Sequence, residues 1–478
     1  MDTAIRVNGS RYVWKILYQA IGFILFALFY SLYWAIIAIA ASSTFTLKAT
    51  RLDKVIKRRP YTLTIVAYML LIAASLGRNA FDGIAGLLTS WLCIGVINVS
   101  ASAFRSNKRR KLPDFVEIWL GKRLRQPLDI YFVRLTFCSS LLLTFPFLLI
   151  VFPQTVSLPT IIIYLFVLLR TATMQENIIH YDVHNHFFRW KHLKVRRERD
   201  IFQFLNGYVN LVVPLLSCRF PYHYTVEHLV IHHAENNGWD DVQSTLRYDR
   251  KSFLDFCEFA LSLGLQVTFS FSWYAYLAKR NLKKPIRLIV KGQIIRYSTI
   301  IILSFFNPVA AALLIFVPIL SGVPRAVSIF FWHGLVDTKD PNNIYTNTIN
   351  IDEQTGMGFG WHVEHHLRPG THWFNQTEQA RQDTSIYGDN GVITYIPTPE
   401  LQHLFLQAMW RRRFDLLAER CLPTDNHQHG NLASLIETRT YPLVRSNQSR
   451  WYRNFDLLLG RIASRVLPGS FPTSPTKL

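Results

Sequence analysis

Thirteen of the sixteen histidines fall between His180 and His372, and most stand at spacings that would let imidazoles share a metal ion. Three clusters hold them. The first is His180-Tyr-Asp-Val-His184, with His186 two residues on. The second is His228-Leu-Val-Ile-His232-His233, preceded by His223, and the third is His362-Val-Glu-His365-His366. His333 stands alone at the end of an apolar run. On an α-helix, residues three and four apart share a face. His180 should then point with His184, His228 with His232, and His362 with His365 and His366. Neutral imidazole is the commonest side chain for holding transition metals. Eight clustered imidazoles plus His333 exceed the three or four ligands that one zinc takes. Two ions with roughly four or five nitrogens each fit the count, and softness alone leaves iron, zinc and copper open. Asp182, Glu227, Asp337 and Glu364 stand beside or near these histidines and could hold the outer imidazole N–H groups. As ordinary acids they would be solvated or cap helices. His192, His403, His427 and His429 belong to no cluster and read as surface residues, with His186, His223 and His372 intermediate.

The elements that must position these side chains are apolar and long. Hydrophobic residues make up 50% of the 478 and charged residues 17%, below the roughly 25% usual in soluble domains. Mean hydropathy is +0.14. No charge occurs from Ile16 to Ala41, enough to cross about 30 Å of hydrocarbon as a helix. The Ala-rich end of that run could mimic a signal-peptide cleavage site, but the run exceeds a signal-peptide core, so it reads as a retained span. Thr62–Gly77 and Gly83–Phe104 follow. Leu135–Leu169 is uncharged but broken by Pro146, Pro153 and Pro159, the pattern of two spans turning near Pro153–Pro159. Phe259–Leu277 and Tyr297–Pro324 are the last apolar stretches. Thr398-Pro399-Glu400 starts a helix whose Leu401, Leu404, Phe405 and Ala408 share one face. That helix reads as a packed one, with a membrane-interface position as the alternative. The expected fold is all-α: a polytopic membrane helical bundle with a cytosolic helical cap carrying the histidines. Residues 1–134 form an N-terminal extension of about three spans, 135–373 the membrane domain with the histidine clusters, and 374–478 a cytosolic tail.

Charge sets the orientation. Lys and Arg exceed Asp and Glu by 52 to 31, but the basic residues sit in short loops between apolar runs. That is the positive-inside pattern, not a nucleic-acid surface. Ser42–Pro60 carries Lys48, Arg51, Lys54, Lys57, Arg58 and Arg59 against Asp53 alone, and 105–125 carries eight basic residues. Both loops should face the cytoplasm, and the histidines from His180 onward with them. Lys279, Arg280, Lys283, Lys284, Arg287 and Lys291 disagree if Phe259–Leu277 simply spans, so that stretch reads as re-entrant or interfacial. The five cysteines are scattered with no CxxC pair, which argues against a disulfide framework, a thiolate zinc site and an iron–sulfur cluster.

HxxxH, HxxxHH and HxxHH in this order across apolar spans resemble the three histidine boxes of the membrane fatty-acid desaturase/hydroxylase superfamily. His180-Tyr-Asp-Val-His184-Asn-His186-Phe-Phe is similar to its first box, and Trp361-His362-Val-Glu-His365-His366-Leu-Arg-Pro-Gly-Thr-His372-Trp to its third. Phe331-Trp-His333-Gly-Leu-Val-Asp337, with Asn342-Asn-Ile-Tyr345-Thr-Asn347, is similar to the segment supplying a further histidine there. The resemblance covers about 135–373. It implies a centre of two non-haem iron ions that uses O2 to oxidise an unactivated C–H bond of an acyl lipid. It also implies His180, His184, His228, His232, His233, His333, His362, His365 and His366 as the ligands. The second box departs from the pattern, with three residues before its histidine pair where two is commoner, which leaves His223 as an alternative to His228. No individual catalytic residue is identified.

Desaturation leads this reading, with hydroxylation, acetylenic-bond formation or oxidative decarboxylation on the same centre as alternatives. A membrane zinc-dependent lipid hydrolase needs about three histidines and an acid, leaving most of these idle. A metal transporter would carry its ligands within the spans, whereas these abut polar sequence. No haem-binding His-Pro-Gly-Gly segment and no dinucleotide glycine turn occur in the sequence. A separate electron donor of the ferredoxin or cytochrome b5 type is therefore implied, and basic loops could dock an acidic one.

Overall fold

A computed structural model describes residues 9–76, 84–105, 114–191, 193–341, 343–352, 360–398, 400–422, 429–443 and 449–469. Lys108, Arg109, Arg110, Lys111, His192, Asn342, Pro399 and His427 lie outside the described residues, as do Gly77 and Gly83 at the ends of two expected spans. The chain is helical, with a single parallel pair of two-residue strands among the described residues, Asn350–Ile351 beside Thr394–Tyr395. It divides into two compact units. Among the described residues, six helices are long and apolar enough to cross a membrane, or seven where one bent pair counts as a span. The chain is a multi-pass membrane protein.

The unit of residues 31–226 and 284–317 holds most of the spans. Helix Pro60–Leu76 contacts Ile84–Arg105, and Ile130–Val151 runs against Leu158–His184. The expected turn between the last two is Pro153–Thr155. Ser157 then starts the second helix through a reciprocal bond with Thr160, with proline in its first turn, where the missing N–H costs nothing. Tyr68, Leu71, Ile97, Cys138, Leu142 and Phe166 fill the core between these helices. One expectation is corrected here. The first helix runs Gly9–Ala49 and Leu52–Arg58 is a helix, so Ser42–Pro60 is not an open loop. The Thr46 and Thr50 hydroxyls donate to the Ser42 and Thr46 carbonyls of the preceding turn, so the polar stretch accommodates them without leaving the helix. The apolar stretch Tyr297–Pro324 is broken, into Lys283–Phe306 and Pro308–Leu320. Pro308 cannot donate, and the Asn307 side chain accepts from Ala310 N at 3.1 Å to open the new helix.

The other unit comprises residues 1–30, 227–283 and 318–478. Its helix Phe253–Phe269 is followed by Phe271–Lys279 at a bend of 75°, with Ser270 at φ 59° between them. A broken span or a re-entrant loop has this form, in keeping with the expectation for 259–277. Helix Gly322–His333 crosses Phe253–Phe269 where two glycines meet. A Cβ on Gly322 would lie 2.2 Å from the Ala260 carbonyl oxygen, and one on Gly264 would lie 2.4 Å from that of Ile319. Only backbone fits at that crossing. Helix Leu401–Arg411 is buried from Leu404 through Trp410, so it is a packed core helix and not an interfacial one. Trp410 stands among Phe26, Phe253 and Phe256, ring centroids 5.0 to 6.0 Å away.

Candidate metal centre

Seven of the nine expected ligands belong to the second unit and arrive on three elements. Thr225–His232 is a π-helix, continued by a short turn from His233. Gly322–His333 ends at His333, and His362–Leu367 carries the third cluster. They sort into two groups. His232, His333, His362 and His366 each offer a ring nitrogen within 4.8 Å of one another, and all four are buried. His228, His233 and His365 form a second convergent set within the same limit. In the other unit, His180 and His184 close helix Leu158–His184, one turn apart, ring centroids 5.1 Å from each other.

The rings expected to share a face do stand together, His228 beside His232 at 5.5 Å and His365 beside His362 at 5.6 Å, but the two groups divide each of these pairs. A π-helix repeats its hydrogen bond at five residues instead of four. His228 therefore comes into register with His233, five residues on, and His232 joins the other group. The extra residue that sets this box apart is absorbed by that wider turn. His223 stands in neither group, its Nδ1 3.0 Å from the Phe220 carbonyl oxygen. In the third cluster, His362 and His366 share one group by the α-helical four-residue repeat, while His365 turns to the other.

The outer ring nitrogens have partners that fix which atom faces inward. His232 Nδ1 lies 2.7 Å from Asp241 Oδ2, and His333 Nδ1 donates to the Asn347 carbonyl at 2.8 Å. With Nδ1 so engaged, each ring presents Nε2 to its group. Asp241 is a partner that the sequence pattern does not single out. An acid nine residues beyond a histidine pair, in a polar loop, is a weak signal, and Asn347 acts through its backbone and leaves none. Burial lowers the His232 pKa, and the Asp241 carboxylate more than offsets this, so the pKa is raised overall. Burial among neighbouring imidazoles holds His366 well below the ordinary histidine range.

The four acids expected beside the ligands have other partners. Glu227 is buried and pairs with Arg325 at 2.5 Å, fixing the π-helix to helix Gly322–His333. Glu364 is buried and accepts from Arg368 at 2.6 Å and from the Tyr387 hydroxyl at 2.8 Å. Asp182 is buried, 3.3 Å from His186 Nδ1, and accepts from Asn210 Nδ2 at 2.6 Å. Asp337 is half-buried and accepts from Lys339 N at 2.9 Å in the loop after His333. The His372 side chain caps helix Trp373–Gln382. His403, expected at the surface, is half-buried beside Tyr30, and burial lowers its pKa to about 4.

The donor set fits a cation. His366 is buried, yet neither of its ring nitrogens has a hydrogen-bond partner. A buried polar group without a partner calls for an explanation, and three imidazoles converge on the same point. His233 Nε2 lies 3.1 Å from both His228 Nε2 and His365 Nε2, and His362 Nε2 lies 3.3 Å from His333 Nε2. One N–H cannot serve two acceptors at once. Nitrogens bound at about 2.1 Å to one ion sit about 3.0 to 3.4 Å apart, which is the spacing found.

A family model described as Fatty acid desaturase matches residues 155–397, half of the chain. The chain belongs to the fatty acid desaturase family. That range includes both histidine groups and the His180–His184 pair, and it makes the protein an oxidoreductase of acyl lipids at a membrane. No curated protein and no solved structure matches this desaturase-family chain.

Proposed function

We propose that the protein is a membrane acyl-lipid desaturase working at a centre of two non-haem iron ions. His232, His333, His362 and His366 hold one ion. His228, His233 and His365 hold the other, and the first-box resemblance adds His180 and His184 to it. The observation that carries this reading is the sorting of six box histidines and His333 into two convergent, thiolate-free groups. Iron supplies the oxidising power that O2-dependent removal of hydrogen from a methylene requires and that zinc lacks. Hydroxylation, acetylenic-bond formation and decarboxylation share the centre and differ in the step after the first hydrogen is lost.

The remaining work belongs to the chain's own groups. Asp241 and the Asn347 carbonyl keep His232 and His333 in the tautomer that offers Nε2. The Trp332 ring, stacked on His362 at 4.7 Å, and buried Val363 keep water from that side. Arg325 compensates the buried Glu227 charge, so the π-helix holds its pitch without a loose carboxylate near the ligands. Helix Leu158–His184 would be about 40 Å long at 1.5 Å per residue, more than the roughly 30 Å of hydrocarbon. Its last turn therefore belongs at the headgroup boundary, in reach of a chain rising from the bilayer. The basic residues of 48–59 put that boundary on the cytosolic side, where a separate ferredoxin or cytochrome b5-type donor delivers electrons.

Elemental analysis of the detergent-purified protein tests the reading. About two irons per chain are expected, and His365→Ala should lose bound metal and abolish oxidation of cellular lipids. One zinc and no iron in folded protein would point to a lipid hydrolase and overturn the oxidative assignment.

A further inference from the structure

The C-terminal helix Arg450–Ala463 lies beyond the family match and plays no part in the metal groups. Its surface divides into three sectors. Asp456, Gly460 and Ala463 face the protein; Gly460 allows contact with Phe253 and Trp410, whose Cβ atoms lie 3.4 and 3.2 Å from the position of an added Cβ. The Tyr452 hydroxyl donates to Gln19 Oε1 at 2.8 Å on the same side. A second sector is apolar but uncovered: Trp451 is 71% exposed, Phe455 40%, Leu458 55% and Ile462 52%. These positions follow the i, i+4, i+7, i+11 repeat of one helical stripe, and the Trp451 and Phe455 rings stack at 5.3 Å. The third sector, between the other two, is basic and exposed, with Arg453, Arg461 and Arg465, the last just past the helix end. From 449 to 469 Asp456 is the single acid, and it is buried.

We propose that this helix lies in the membrane interface and binds an anionic lipid surface. A water-facing helix does not keep four large apolar side chains in one exposed stripe. A spanning helix does not carry an arginine sector, and at 14 residues this one is too short to span. One side on protein, one in acyl chains and arginines at the rim is the arrangement of an in-plane helix. Arginines unopposed by exposed acids select negatively charged headgroups. The helix contacts Phe253–Phe269 and Leu401–Arg411. Helix Phe253–Phe269 in turn crosses Gly322–His333, which ends at His333, so lipid seated on the stripe bears on the elements that place a ligand.

The test uses the full-length protein in vesicles, with a nitroxide on Leu458→Cys or, in the arginine sector, on Asn454→Cys. The five native thiols are buried, which directs the label to the new site. In phosphatidylcholine vesicles, the label at 458 should be more accessible to oxygen than to a water-soluble nickel complex, and the label at 454 the reverse. Phosphatidylglycerol in the vesicles should drive the 458 label deeper, and Arg461→Gln with Arg465→Gln should remove that shift. Nickel access at 458 equal to that at 454 would mean a face in water and overturn the proposal. So would a 458 label shielded from both reagents, since another segment or a second copy would then cover the stripe. An indifferent response to phosphatidylglycerol would overturn the anionic selection.

Discussion

Asp241→Asn probes the two-group reading at one bond. Asp241 is fully buried, and its Oδ2 receives His232 Nδ1 at 2.7 Å and Asn237 N at 3.0 Å, while Oδ1 receives Gln243 N at 2.9 Å. The amide is nearly the same size but has a single acceptor oxygen. Turned toward His232, it keeps two of the three bonds and sets its NH2 against the Gln243 N–H. Turned the other way, it loses two and faces an NH2 to His232, favouring the wrong tautomer. Either orientation leaves a buried donor unmet, at a cost of about 1–3 kcal/mol to the fold. Separately, loss of the carboxylate behind a ligating imidazole should weaken metal binding about 10- to 100-fold, or roughly 1.4–2.8 kcal/mol. Chelator competition on the purified protein, with thermal unfolding of the metal-free form beside it, separates the two effects. Iron affinity equal to wild type, in a variant whose unfolding temperature has dropped, would refute the argument that Asp241 orients His232 for a metal.

The packing and the charges give three further outcomes. Gly322→Ala puts a methyl 2.2 Å from the Ala260 carbonyl, so it should cost about 1–3 kcal/mol or more and shift His333; unfolding and metal content measured together check it, and an unchanged pair would mean the helices part freely. Deleting Val230 removes the extra residue of the π-helix, and the α-helical segment left should keep His228 with its group and retain both metals; loss of one metal in folded protein would show that the wider turn does more than absorb the insertion. Burial, together with the nearby Asp255 and Asp249, raises the Asp456 carboxyl to about 6 against the bonds it accepts from Leu254 N and Ser252. Because the folded pKa is the higher one, its stability contribution is full below pH 3.8 and is lost as pH rises through about 6. Asp456→Asn should flatten that part of the stability–pH curve, as tracked by hydrogen exchange in 450–463.

Local chemistry made the chemical outline of this protein legible in its sequence. Uncharged runs too long for soluble domains identified spans, since no water-facing surface tolerates them. Prolines 153 and 159 marked the turn between two of those spans, where a missing N–H suits a first turn, whereas Pro146, expected as a third break, lies inside the continuous helix Ile130–Val151. Nine histidines and their order pointed to a metal centre, since imidazole spacing is a property of the chain. Tertiary structure alone decided how those histidines divide. α-Helical periodicity puts His228 with His232, but a π-turn, set by hydrogen bonding along the whole segment, puts it with His233. Asp241 and the Asn347 carbonyl become partners of His232 and His333 across loops, and a backbone carbonyl has no letter in the sequence. Arg325 and Glu227 find each other 98 positions apart because two helices pack there. Which face of a helix is covered is likewise a matter of neighbours. Leu401–Arg411 and Arg450–Ala463 both pattern as amphipathic, yet the first is buried and the second keeps its apolar stripe exposed, because burial depends on what packs against a helix.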